Sequence, residues 1–499
     1  MTTTPAFLMP WGVLPNASEK RNLRQISQNN LNLFTYTADA GFDEGGGLSC
    51  VSDASGPATF EASTLDDLTL VDGDIVYVMF QFSLITWTPL SAFPKILSMH
   101  HNRHAGNAPY CEIEVEDGSA SPAWAMRVRA TDGSGNTITT AGTAWALAGT
   151  GTVYTAMMAI ERLTSTTAKV YLYQWTGGTW VEKETASGTF TWSSVVWKDI
   201  RTGSPLTLAK GEAGNVRVSR VIPSINVIPA GTMLCDHEAL VTTPDGSTYD
   251  EWVDQAAGGT VNDKVDDALG SESAADYMTS TSTAAQKTQE LNVAAVSGIT
   301  DTIRGLLVSC GVSAIPATAN ATAYMATRLS GTDSTFLDAY FGDSAWDTSG
   351  GLYQEKDCAR FFEKDPSGAG WTQTNVNSAT SVWRKVATGA AEEWRVDSVV
   401  RQVLHGEVWT PKSMVPVHSG ARLWRQMHAR SYDRWRTRED ATTRCQCRVS
   451  RSRPSRTSTR SFLPTTSRSS RSAWRWASQR TSGTRRKRTC ALRSVAAIR

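Results

Sequence analysis

The sequence predicts an all-β chain: two consecutive antiparallel β-sandwiches of the jelly-roll kind, then a basic C-terminal tail that belongs to neither. Three observations predict it. Short apolar or alternating runs recur every roughly 8–15 residues with no helical period between them, the spacing of strands in a sandwich. Gly, Ser, Thr, Asn and Asp gather between the runs as turn residues. Charge also breaks sharply along the chain. Residues 441–499 hold 15 Arg, one Lys and no Asp or Glu, which leaves 33 basic residues elsewhere against all 48 acidic ones.

Taken in order, residues 1–29 read as an N-terminal extension and residues 30–229 as the first sandwich. Strands are expected over 74–83, 92–99, 111–116, 124–130, 153–162, 168–175 and 216–222. The turn signals between them are Asp72-Gly73, Asp117-Gly118, Asp132-Gly133-Ser134-Gly135-Asn136 and Trp175-Thr176-Gly177-Gly178, the last joining two runs as a hairpin. A second sandwich is expected over 236–405. It enters at Asp236-His237-Glu238-Ala239-Leu240, has a continuous apolar strand over 303–310, and closes on Glu393-Trp394-Arg395-Val396-Asp397. Between these lies Asp365-Pro366-Ser367-Gly368-Ala369-Gly370-Trp371-Thr372, read as a turn after which Trp-Thr re-enters a strand. No run of 18 apolar residues predicts a membrane helix. Residues 1–11 lack a positive n-region and a long h-region, so no secretory signal is expected. Cys50, Cys111, Cys235, Cys310 and Cys358 are scattered and form no CxxC pair. That argues against a disulfide framework or a zinc site and suits synthesis in a reducing cytoplasm.

The strand order of the first sandwich, through Trp124-Ala125-Met126-Arg127-Val128-Arg129 and closing on Gly214-Asn215-Val216-Arg217-Val218, resembles the concanavalin-A-like, laminin-G-like jelly roll of lectins and viral appendages. The second sandwich, with its acidic entry, Asp276-Tyr277, central strand and Asp-Pro-x-Gly-x-x-Trp-Thr, resembles a β-sandwich of tail-associated structural proteins of tailed phages. It departs from that pattern near residue 400, where basic sequence replaces the expected strand and short acidic end. The resemblance implies a virion structural protein, made in the host cytoplasm, that assembles with other virion proteins and as a homo-oligomer, and that contacts host-surface carbohydrate. It implies no enzyme and no catalytic residue. The alternative classes are a glycan depolymerase, either hydrolase or lyase, and a coat protein whose basic arm binds nucleic acid.

Candidate site residues follow from chemistry. Tryptophan stacks on sugar rings, and Trp175 and Trp180 flank the Gly177-Gly178 turn, so they are the expected glycan-binding pair. The remaining tryptophans of the first sandwich (Trp87, Trp124, Trp145, Trp192 and Trp197) read as core. Glu112, Glu114 and Glu116 alternate and so share a face at a spacing that carboxylate chemistry permits, but the pattern reads first as a half-exposed strand. His100-His101-Asn102-Arg103-His104 reads as an exposed loop without the third ligand a zinc site needs. Asp72-Gly73-Asp74 and Asp263, Asp266 and Asp267 offer oxygen ligands for Ca2+ but match no EF-hand, so no cofactor is expected beyond that ion.

The tail, residues 406–499, admits two readings. Clustered arginines bind polyanions by counterion release, and blocks of like charge form interaction tails. The tail, however, uses arginine almost alone among Ser, Thr, Trp, Ala and Cys, as in Arg468-Ser469-Ser470-Arg471, whereas residues 1–440 mix 12 Lys with 21 Arg. That composition is what G/C-rich codons yield in a shifted frame, and the apolar residues show no structural period. The expectation is a disordered or frame-shifted segment, with nucleic acid a partner only if the arm is real.

Overall fold

In a computed structural model of the protein, the residues described are 7–8, 10, 25–29, 34–37, 47–52, 59–62, 68–88, 95–101, 109–115, 125–193, 195–197, 199–203, 213–240, 248–254, 261–265, 277–280, 285–315, 323–338, 354–386 and 393–410. Residues 411–499, and with them the expected tail beyond Thr410, lie outside them. The fold is all-β, as the run spacing predicts.

Among the described residues the first sandwich has fourteen strands. They begin with β1 (Gln25–Asn29), β2 (Phe34–Thr37), β3 (Gly47–Ser52), β4 (Thr59–Ala62), β5 (Ile75–Thr88), β6 (Lys95–His100) and β7 (Tyr110–Val115). There follow β8 (Met126–Thr131), β9 (Thr137–Thr139), β10 (Val153–Thr164), β11 (Thr167–Thr176), β12 (Thr179–Thr189), β13 (Asp199–Gly203) and β14 (Ala213–Ile225). One antiparallel sheet runs β1-β4-β13-β6-β7-β8-β9 and faces a second that runs β12-β11-β10-β5-β14-β3-β2. Strand alternation decides what lies between them. Val76, Val78, Phe80 and Phe82 of β5 face Cys111, Ile113 and Val115 of β7 and Met126, Val128 and Ala130 of β8 within one buried cluster. Trp145, Trp192 and Trp197 belong to that core, 3, 4 and 0 % exposed, as expected of them. Each large apolar side chain so buried contributes about 1.5–3 kcal/mol before the entropy of ordering is deducted.

The hairpin expected at Gly177-Gly178 joins β11 to β12, with φ of +60° and +77°, a conformation that glycine adopts without a Cβ clash. The sandwich also reaches further back than residue 30. β1 pairs with β4, and Phe7 and Leu8 are buried, with the Leu8 amide donating to the Pro223 carbonyl at 3.0 Å. Part of the expected N-terminal extension therefore belongs to the core, because Phe7 and Leu8, in the apolar run over residues 5–11, bury their side chains against β14.

The second sandwich contains β15 (Leu234–Leu240), β16 (Val253–Asp254), β17 (Met278–Thr279), β18 (Lys287–Leu291), β19 (Ile303–Ile315) and β20 (Ala323–Leu329). β21 (Thr332–Asp333), β22 (Leu337–Asp338), β23 (Gln354–Phe362), β24 (Thr380–Lys385) and β25 (Glu393–His405) complete it, with one short helix, α1 (Gln373–Ser378), before β24. Its larger sheet runs β16-β17-β25-β19-β23 with β15 also on β25, and the smaller runs β18-β24-β20-β21 with β22 on β20. Alternation splits the larger sheet between two cores. Leu306, Val308, Val399 and Val403 pack inside the second sandwich, whereas Leu307, Val400 and Leu404 join the apolar cluster of the first. The described strands of residues 1–412 thus form one compact unit rather than two beads.

The structure departs from expectation at two further places. After the Asp365 turn, Trp371-Thr372 does not re-enter a strand: the Thr372 hydroxyl accepts the Asn375 amide at 3.1 Å and caps α1. The ordered pattern also does not fail near residue 400. β25 is buried through His405, Gly406 donates to Thr302, and the Trp409 amide donates to the Ile228 carbonyl at 2.8 Å. The ordered contacts therefore continue to Trp409, four residues into the expected tail.

A buried cation anchors the second core. Arg401, 1 % exposed, donates to the carbonyls of Ala379 and Ala294 at 3.0 and 3.3 Å, and desolvation pulls its guanidinium down to about 10.

Candidate functional site

The face of the first sheet turned away from the core carries a polar lattice where a structural sheet would only need water-facing residues. β6, β7 and β8 pair antiparallel, so three short rows form across them: His100–Tyr110–Thr131, Ser98–Glu112–Arg129, and Glu114–Arg127. The opposite face of β7 carries Cys111, Ile113 and Val115, which fixes Glu112 and Glu114 to the outer one.

The alternation Glu112-Ile113-Glu114 is therefore seen in the structure, but the carboxylates are not half-exposed: Glu112 is 0 % and Glu114 2 % exposed. Glu116 lies outside the described residues. A fully desolvated acid on the outer face of a sheet is costly unless it is paired, and such acids concentrate at binding and catalytic sites. Glu114 is paired. Arg127 donates Nε to it at 2.6 Å, and one terminal nitrogen of Arg129 stands 3.7 Å away. Burial first, and then the charge of Glu112, pushes the Cys111 thiol far above its usual range, so that cysteine is an inert core residue.

The top row is aromatic and polar at once. His100 Nε2 lies 2.8 Å from Ser98 Oγ, and its ring centroid is 6.0 Å from that of Tyr110. Tyr110 is only partly buried, and the Arg129 guanidinium lies 5.9 Å from the Tyr110 ring centroid. The partly exposed members of this arrangement are the Tyr110 ring and the Arg129 guanidinium, with His100, Ser98, Glu112 and Glu114 buried beside them. His100 is buried at the end of β6, and His101 is half-buried with Nδ1 2.7 Å from the Val196 carbonyl oxygen. These two histidines are fold residues, not the exposed loop expected of them. Asn102, Arg103 and His104 lie outside the described residues. Among those described, no group of three or more His, Cys, Asp or Glu gathers that could hold a metal.

The expected glycan pair occupies a different place. Trp180 is 4 % exposed and donates its indole N–H to the Pro229 carbonyl at 2.7 Å. Trp175 packs on Gly231 so closely that a Cβ there would lie 2.1 Å from its Cγ, and the two indoles meet edge to face at 5.1 Å. Arg220, buried at φ +50°, donates to the Gly231 carbonyl from β14 of the same sheet. The pair thus clamps the chain that enters the second sandwich, and the ring of Trp180 has no face left for a sugar.

The Ca2+ candidates are likewise drawn into the fold. Asp72 pairs with Arg162 at 2.7 Å, while Asp74 accepts the Val71 amide and the Asn226 side-chain amide, each at 2.9 Å. Asp263 lies in a 3-10 turn, Val261–Lys264, and Asp266 and Asp267 lie outside the described residues.

Sequence reasoning passed over Ser98, His100, Tyr110, Arg127 and Arg129 as a group. The available signal was complementary alternation: Glu-Ile-Glu in β7 and Arg-Val-Arg in β8 are two charged stripes of opposite sign at strand period.

No family model matches the chain, and no curated protein matches it. Among solved structures it is similar to the alginate lyase Aly36B (10 % identity, 44 % of this chain, 98 % of that chain, TM-score 0.28). It is also similar to lectin UEA-II complexed with galactose (11 %, 41 % and 97 %, 0.26) and to the cellulose induced protein Cip1 (12 %, 40 % and 87 %, 0.27).

Proposed function

We propose that this protein binds carbohydrate on the outer face of β6, β7 and β8 and does not cleave it. The observation that supports the reading is the partly buried Tyr110 ring set among His100, Ser98, Glu112 and Arg129. A sugar needs one apolar surface for its C–H face and polar groups beside it; the partly buried Tyr110 supplies the first and the partly exposed Arg129 the second, over a buried layer of His100, Ser98 and Glu112. The clamp on Glu114 favours binding over catalysis: a carboxylate oxygen that already accepts from Arg127 at 2.6 Å is not open to a substrate proton, which removes one of the two acids a depolymerase would use. Screening of the full chain on a glycan array, with Tyr110→Ala as comparison, tests the reading. The variant should lose about tenfold in affinity for any glycan bound, as expected for one lost ring contact with its buried area. Undiminished binding by Tyr110→Ala would move the site elsewhere. Release of reducing ends or unsaturated sugars by the wild type, abolished in Glu112→Gln, would make the protein an enzyme.

The setting we propose is the particle of a tailed phage, in several copies, where weak single contacts add up through multivalency. This rests on the resemblance carried by the second sandwich. Peptide mass spectrometry of purified particles should recover peptides throughout residues 30–409. Their absence from particles would refute the virion role, and abundant peptides from 441–499 would restore the nucleic-acid-binding arm.

A further inference from the structure

We propose that the ligand of this face is an acidic glycan, with a carboxylate on its sugar ring, and that Arg129 is the residue that receives the carboxylate. The inference rests on the binding face argued above and adds the charge of what binds there.

Two arginines stand two residues apart on one face of β8, yet they are not equivalent. Arg127 is committed: its Nε donates to Glu114 at 2.6 Å, and both side chains are well buried, 15 and 2 % exposed. Arg129 approaches the same carboxylate with a single terminal nitrogen at 3.7 Å, beyond hydrogen-bond length. Its Nε is buried without a hydrogen-bond partner, while its side chain as a whole is 36 % exposed. A guanidinium carries five N–H donors in a planar fork, and a carboxylate fills two of them side by side. The exposed part of Arg129 is thus its terminal end, whose two nitrogens can take a carboxylate side by side, while the buried Nε stays out of a ligand's reach. Glu114, the acid it approaches, is already bonded to Arg127 through its other oxygen.

Position matters as much as donor count. The Arg129 guanidinium lies 5.9 Å from the Tyr110 ring centroid, so a pyranose stacked on Tyr110 would hold a ring substituent within reach of the fork. Arg127 then acts as a positioning residue: by neutralising Glu114 it keeps that carboxylate from competing for Arg129 or repelling the ligand. Neutral sugars would meet the same ring but would offer the terminal nitrogens of Arg129 no charge.

The test measures binding of hexamers of galacturonate, mannuronate and glucuronate to the full chain by calorimetry, each beside its carboxyl-reduced twin of identical linkage. At least one uronate should bind about 10- to 100-fold more tightly than its twin, the range expected for charge-assisted hydrogen bonds to one carboxylate. The preference should shrink to within about twofold in Arg129→Gln, be partly kept in Arg129→Lys, which retains charge but not the fork, and weaken in high salt. Equal binding of uronate and twin, or a preference that survives Arg129→Gln, would overturn the inference and leave the sugar-binding face intact, provided Tyr110→Ala weakens both. No binding to any hexamer, or binding indifferent to Tyr110→Ala, would overturn the face and the inference together. Thermal melts of each variant separate loss of binding from loss of fold; should Arg129→Gln unfold, Arg129→Lys carries the comparison.

Discussion

An alanine at position 231 should destabilise the protein by about 1–3 kcal/mol, the cost of forcing an extra carbon into a packed core. Its Cβ would stand 2.1 Å from Cγ of Trp175, near the root of that side chain, where no rotation of a distal atom relieves the clash. The same substitution made on a Trp175→Ala background should cost almost nothing, because the obstructing ring is gone. A double-mutant cycle read by urea unfolding therefore isolates the contact. Strictly additive losses would show that Trp175 does not rest on Gly231. The cycle also decides what the indole pair is for. If Trp175 and Trp180 clamp the entry to the second sandwich, Trp175→Ala lowers stability and leaves glycan binding at its wild-type strength.

Removal of the Glu184 carboxylate should have the larger effect of the two. Its oxygens accept the amides of Gly142, Thr143 and Ala144 at 2.7, 2.6 and 2.7 Å, so one side chain satisfies three successive backbone donors of the segment between β9 and β10. Glu184→Ala removes three charge-assisted hydrogen bonds at once, one of them to the buried Gly142, and should cost about 2–4 kcal/mol. Glu184→Gln, which keeps one carbonyl oxygen, should recover part of it. Chemical denaturation measures both, and a Glu184→Ala variant as stable as the wild type would refute the assignment.

Glu184 also belongs to a set that governs acid stability. Burial would raise its carboxyl, but the hydrogen bonds it accepts outweigh that and hold it below the usual range. Asp132 and Asp365 behave alike. Desolvation is opposed in Asp132 by Asn136, Thr191 and Ser134, and in Asp365 by Ser367, Ala369 and Asn375, and both carboxyls are lowered. A carboxyl whose folded pKa is depressed contributes stability that is full above its unfolded value, near 3.9 for Asp and 4.3 for Glu, and that is lost as pH falls through the folded value. The contribution should therefore be constant from about pH 8 to pH 5 and decline below about pH 4, with Glu184→Ala flattening the decline.

Local chemistry explains which parts were legible beforehand. Val153-Tyr154-Thr155-Ala156-Met157 and Thr167-Ala168-Lys169-Val170 carry strand period in their own residues, and Gly177-Gly178 permits a positive-φ hairpin wherever it stands. Asp132-Gly133-Ser134-Gly135-Asn136 closes its own loop, with the carboxylate of Asp132 accepting the amides of Ser134 and Asn136. Such features depend on neighbours within a few residues. Thr372 was misjudged for a related reason: a threonine before a polar tripeptide reads equally as a strand start or a helix cap, and only the hydrogen bond to Asn375 decides.

The sequence by itself determined the class of the protein: an all-β chain with its main turns in place, an acidic body set apart from a basic tail, and Trp145, Trp192 and Trp197 assigned to a core. Tertiary structure alone decided the rest. It set Glu112 beside Ser98 and Arg129, distributed β19 and β25 between two cores, and placed Trp180 on the Pro229 carbonyl and Trp175 on Gly231. The physical reason is range. Period and turn chemistry act between residues close in sequence, whereas register, burial and the partner of a charge depend on segments brought together from far along the chain, and a stripe of glutamates looks the same facing water or facing arginines.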